Sequence, residues 1–85
     1  MDKPTVIRFL RIPDAGVVDY ALSLANLTQR ERMAVEMCLR LGMTQEAAAE
    51  KADVSVDAMK KWMADGLKKL ETAWDGSWWI RKVTA

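Results

Sequence analysis

The stretch Thr44–Leu70, TQEAAAEKADVSVDAMKKWMADGLKKL, decides the fold. Thr44 is a helix-opening residue, because its hydroxyl can accept from amides in the first turn. An alanine-rich run follows and breaks at Ala52-Asp53-Val54. Ser55 then opens a second segment in which Met59, Met63, Gly66, Leu67 and Leu70 recur at three- and four-residue spacing. That period lines them up on one helical face. Short helix, three-residue turn and longer helix make a helix-turn-helix. Ala47, Ala48, Ala49 and Ala52 favour the helical state and let a crossing helix come close. Asp53 tolerates the left-handed backbone such a turn needs. Gly66 costs about 1 kcal/mol against alanine in a helix interior, which a close contact with the helix opened by Thr28 would explain. Val56, Asp57, Lys60, Lys61 and Ala64 face away from the apolar stripe.

Upstream, Thr28-Gln29-Arg30-Glu31 has the form of a capping box, with Leu27 placed to pack on the first turn. The helix it opens has Ala34, Val35, Met37, Cys38 and Leu41 as its expected buried stripe and Gly42 as its left-handed C-cap. It is expected to be the longest support of the domain. Further upstream, Asp14 caps a helix running to about Ala25, with Asn26 as its stop. Residues 5–12, TVIRFLRI, are rich in β-branched and aromatic types with a partial alternation, which predicts a strand.

Downstream, Asp75-Gly76 is a turn signal within a tail that holds Trp74, Trp78 and Trp79. Tryptophans are costly to leave in water. Two arrangements stay open: the tail folds back on the core, pairing as a strand with residues 5–12, or it forms a subunit interface. The expected fold is all-α, a small helical bundle with a helix-turn-helix and a short terminal strand pair. It is one domain, made of an extension over 1–26, the helix-turn-helix unit over 27–73 and a Trp-rich tail over 74–85.

With 85 residues, 51% of them hydrophobic, one small core needs no staples. Apolar runs are short and cut by charge, so no membrane span is expected, and Arg8 and Arg11 interrupt any signal peptide. The single Cys38 cannot form an internal disulfide and fits a reducing, cytoplasmic setting as a small buried hydrophobe. There is no histidine, which removes the commonest general base and, with one cysteine, the usual zinc sites. The three serines lack a histidine partner, and Gly16, Gly42, Gly66 and Gly76 are too scattered for a phosphate loop. Neither an enzyme, nor a cofactor, nor a metal is expected. Net charge is +1, but residues 55–70 carry four lysines against two aspartates while 1–27 and 28–51 balance. The local positive excess sits on the second helix of the motif.

From Leu27 to Leu70 the sequence resembles region four of bacterial RNA polymerase sigma factors, especially the extracytoplasmic-function type. It is also similar to the DNA-binding domain of LuxR-type regulators. The resemblance rests on Leu27-Thr28, Arg30, Arg32, Gly42, Thr44, Glu46, Ala49-Glu50, Val54-Ser55, Lys60, Met63 and Lys69-Leu70. The Leu27–Gly42 spacing matches the sigma pattern better. Three places depart from it. Asp57-Ala58-Met59 replaces a usual glycine-threonine-valine, Ala48 stands for an isoleucine, and Trp62 and Asp65 stand where arginines are frequent. Lost arginines weaken the phosphate grip. The chain is too short to hold a sigma factor's region two as well, so a complete sigma factor is not expected.

The resemblance implies a sequence-specific DNA-binding transcription regulator, with the Ser55–Leu70 helix in the major groove of double-stranded DNA. Ser55 caps that helix. Val56 would meet a thymine methyl, and Asp57 either accepts from cytosine or serves the helix dipole. Lys60 and Lys61 contact guanine or phosphate, or form an ordinary solvated face. Thr44 and Gln45 would meet the backbone, with Arg30 and Arg32 as further candidates. DNA packaging or recombination in a phage is a variant of the same use. The alternative is a protein-interaction module that binds RNA polymerase, another regulator or a second copy as a homodimer. Trp62, Trp74, Trp78 and Trp79 are its interface candidates; Trp62 would otherwise pack against the tail tryptophans.

Overall fold

Two apolar clusters organise the chain. The computed structural model describes residues 1–84; Ala85, the end of the expected tail, lies outside them. The elements are α1 (Lys3–Leu10), α2 (Ala15–Ser23), α3 (Gln29–Ala34) continuing as a π-helical segment (Val35–Arg40), α4 (Gln45–Ala52), α5 (Val56–Ala73) and α6 (Trp78–Thr84). The described residues contain no strand. The all-α, helix-turn-helix expectation therefore holds, and the terminal strand pair does not.

Residues 5–12 are helical for a reason the alternation hid. Pro4 sits in the first turn, where its fixed φ suits a helix and its missing N–H is not needed. Val6, Phe9 and Leu10 then fall at helical spacing and are all buried. The tail does fold back, but as α6. Ile80 is buried, and Trp79 meets Phe9 edge-on with ring centroids 5.8 Å apart. Trp74 is wholly buried between the layers. Its indole N–H donates to the Ala21 carbonyl at 2.9 Å, and its ring lies edge-on to Phe9 at 5.1 Å. These residues, with Val18, Leu22, Val35, Leu39, Leu67 and Leu70, form the larger cluster.

The smaller cluster lies under the helix-turn-helix. Ala34, Cys38, Ala48, Ala49 and Met59 form it, and Met63 touches both clusters. Burial pushes the Cys38 thiol upward, away from thiolate chemistry.

Every predicted cap is present. Asp14 accepts from the Val17 amide, Thr44 from Ala47 and Ser55 from Ala58. The Thr28–Glu31 capping box closes in both directions, at 2.9 and 3.1 Å. Asn26, Gly42 and Asp53 all take positive φ, as their stop and turn positions require. The longest support is α5, at 18 residues, rather than the helix opened by Thr28, which has 6 α-helical residues before its π-helical continuation. That continuation also overturns one core assignment. With i→i+5 bonds such as Leu41 N–H to Glu36 C=O, the segment turns more widely than an α-helix. Leu39 consequently points inward, and Leu41 is 68% exposed. Two arginines fasten this segment to the end of α1. Arg11 donates to the Leu39 carbonyl at 2.9 Å, and Arg40 donates to the Leu10 carbonyl.

The cost of Gly66 is explained as expected. A Cβ there would stand 2.7 Å from Val35 Cγ2 and 3.3 Å from the Glu31 carbonyl oxygen. Valine is stiff at χ1 in a helix, so it cannot yield easily. Gly66→Ala gains about 1 kcal/mol of helix propensity but overpacks at a cost of about 1–3 kcal/mol. Chemical denaturation should show a net loss of stability; a gain would mean that α3 and α5 do not touch this closely.

The same helix pair is joined by charge. Lys69 Nζ lies 2.7 Å from Glu31 Oε1, and the Glu31 side chain is 10% exposed. The Lys69 ammonium, followed by the Thr28 amide, lowers the Glu31 pKa below the usual carboxylate range. A lowered folded-state pKa stabilises the fold above the unfolded value, and that share is lost as pH falls through the folded value. Thermal melts from pH 7 down through about pH 4.3 and below should therefore show wild type losing stability more steeply than Glu31→Gln. Glu31→Gln should itself be less stable at pH 7, by about 0.2–1 kcal/mol, because solvent screens the part-exposed Lys69. Parallel profiles would contradict this role for Glu31.

Candidate nucleic-acid interface

The geometry of the α4–α5 unit is set by its turn. Asp53 at φ 57° reverses the chain within one residue of α4. Its N–H reaches the Glu50 carbonyl, and the Val54 N–H reaches Ala49 at 3.0 Å. Both backbone groups are satisfied, so the turn is fixed rather than draped. Small side chains at Ala48 and Ala49 then let α4 seat against Met59 on α5.

This leaves the start of α5 projecting. Val56, Asp57, Lys60, Lys61 and Ala64 are all exposed, as their spacing predicts. Asp57 stands in the first turn, where its charge suits the helix N-terminus. Among the described residues, neither Lys60 nor Lys61 has a carboxylate within ion-pair distance. Lys69 is held by Glu31, which leaves Lys60, Lys61 and Lys68 as the lysines of α5 without an ion pair among the described residues. Thr44 is exposed at the head of α4, its hydroxyl engaged in the cap. Gln45 is half-buried, and its amide approaches the Met63 sulfur at 3.8 Å. Ser55 is likewise occupied by capping, so its role is to place the α5 N-terminus.

The arginines and tryptophans distribute differently from the sequence expectation. Arg32 is tied to Asp19 at 2.9 Å and to Glu36 at 3.2 Å. Trp62 does not join the tail tryptophans. It packs on the smaller cluster, and the Arg30 guanidinium lies over its ring at 5.4 Å. In the tail, Trp74 is core and Trp79 is half-buried between Phe9 and Tyr20, with a 6.0 Å approach to the latter. Trp78 alone of the three stands out, 71% exposed, with Lys82 over its ring at 5.8 Å. Tyr20, Leu24 and Val83 are also exposed. Their prominence was missed because α2 and α6 meet only through long-range packing.

A capped, short-turned pair of helices with a projecting second helix defines the class: this is a helix-turn-helix domain. The family model described as Sigma-70, region 4 matches residues 19–70, more than half of the chain. The chain belongs to that family, whose fold is a DNA-binding helix-turn-helix of transcription. The match begins inside α2, upstream of Leu27, and ends at the last core residue of α5. No curated protein and no solved structure matches the chain. Among the described residues, no helix is long and apolar enough to cross a membrane.

Proposed function

We propose that this chain is a sequence-specific, double-stranded-DNA-binding regulator of transcription that lays the start of α5 in the major groove. The observation that carries the reading is the projecting face of Val56, Asp57, Lys60 and Lys61, with both lysines unpaired among the described residues. Val56 is the apolar contact for a thymine methyl, and the lysines meet guanine edges or phosphates. Thr44 and Gln45, at the head of α4, lie toward the flanking backbone. We assign the chain no catalytic role, and we place its work in the cytoplasm, where DNA and reduced Cys38 coexist.

Fluorescence anisotropy with a labelled random duplex tests the reading. Binding at low salt that weakens steadily as salt rises supports it. No binding at low salt overturns it.

A second reading has its own observation. Tyr20, Leu24, Trp78 and Val83, on α2, its C-cap and α6, are large apolar side chains exposed outside α5. Large exposed apolar patches mark contacts with other proteins, here RNA polymerase or a second copy of the chain. Light scattering on Trp78→Ala separates the two: loss of a dimer found in the wild type identifies the second copy, and a monomeric wild type excludes it.

A further inference from the structure

We propose that Arg30, held on the face of Trp62, supplies the phosphate contact that α5 lacks between Lys61 and Lys68. The proposal rests on the DNA-binding reading above. Its starting point is a deficit. Past Lys61, α5 presents Trp62 and Asp65 before its next cation, Lys68. The structure fills that place from another helix. The Arg30 guanidinium of α3 sits 5.4 Å from the centre of the Trp62 ring. That distance is within the range at which an aromatic face attracts a cation.

Three features make this a presented charge rather than a buried one. Arg30 is exposed, and among the described residues it has no carboxylate within ion-pair distance. Its neighbour Arg32, two residues on, is consumed by Asp19 and Glu36. The pair also borders an open recess whose wall includes Val54, the residue before the α5 cap. It therefore stands beside the N-terminal end of α5.

Chemistry favours a phosphate as the ligand. A guanidinium is planar and can donate two parallel hydrogen bonds to a phosphate while its face stays stacked on an indole. Trp62 is then a positioning residue. It limits the rotamers of a long side chain and so reduces the entropy lost on binding.

Salt titrations of duplex affinity test this on the full chain. Arg30→Gln, an exposed substitution, should weaken binding equally for unrelated sequences and lower the salt slope by about one unit. Trp62→Leu should weaken binding several-fold in the wild type yet add nothing in the Arg30→Gln background. A merely structural Trp62 would cost the same in both. An unchanged slope in Arg30→Gln, with Lys60→Glu/Lys61→Glu still lowering it, overturns this proposal and leaves the DNA reading standing. A wild type that binds no duplex at low salt overturns both.

Discussion

Lys60→Glu/Lys61→Glu lowers affinity for any duplex on the order of a hundredfold at low salt, and the variant melts like the wild type. The argument begins with exposure. Both side chains project from α5 and make no ion pair among the described residues, so the fold has nothing to lose. Lysine and glutamate are similar helix formers, and new negative charge in the first half of a helix does not oppose its dipole. The binding loss is electrostatic. Each cation that leaves a phosphate site surrenders its released counterion, so the salt slope should fall by roughly two units. Charge reversal adds repulsion to that loss. Each tenfold change corresponds to about 1.4 kcal/mol. Anisotropy across a salt series measures both numbers. An affinity within twofold of wild type would move the interface away from α5.

Trp74→Ala should cost about 3–5 kcal/mol, the range for removing a buried tryptophan. A domain this size has about 5–15 kcal/mol in total, so much of its stability goes. Trp74 is wholly buried and bridges α2, α1 and the end of α5. Its removal leaves a cavity beside Phe9 and takes the indole N–H from the Ala21 carbonyl, which keeps the Leu24 N–H as its donor. Trp74→Phe is the milder change. It keeps a ring against Phe9 but loses the indole N–H and part of the ring volume, and should cost less than Trp74→Ala, about 1–3 kcal/mol. Urea denaturation reads both values. A Trp74→Ala loss under about 1 kcal/mol would show that the tail end of α5 is not core, since small surface effects have that size.

How much of this was legible in the sequence depends on the range of the interaction. Caps are local: Thr28, Thr44 and Ser55 each act within three residues, and all three are read correctly. The Gly66 contact was legible too, because a glycine in a helix interior calls for a neighbour. Residues 5–12 were not, since apolar residues interrupted by Arg8 and Arg11 fit both periods, and the decisive signal was Pro4 outside the run. The π-helical turn has no short code, so Leu41 was placed inside instead of Leu39. At seven residues, α6 is too short to be stable alone. It forms because Ile80 and Trp79 find α1, a contact across most of the chain length.

At the site, the outward face of α5 followed from its spacing. What lay beyond the sequence was pairing between distant residues. Lys69 spends its charge on Glu31, and Trp62 gathers Arg30 rather than the tail. Both pairs join α3 to α5.

The central claim is that α5 meets DNA with its first turns. A titration of isotopically labelled protein with duplex DNA, followed by backbone and indole N–H resonances, tests it residue by residue. The account predicts shifts at Thr44, Gln45, Val56, Asp57, Lys60 and Lys61, and at the Trp62 indole, with Tyr20 and Trp78 unmoved. Shifts centred on Tyr20, Trp78 and Val83, with α5 silent, would contradict it.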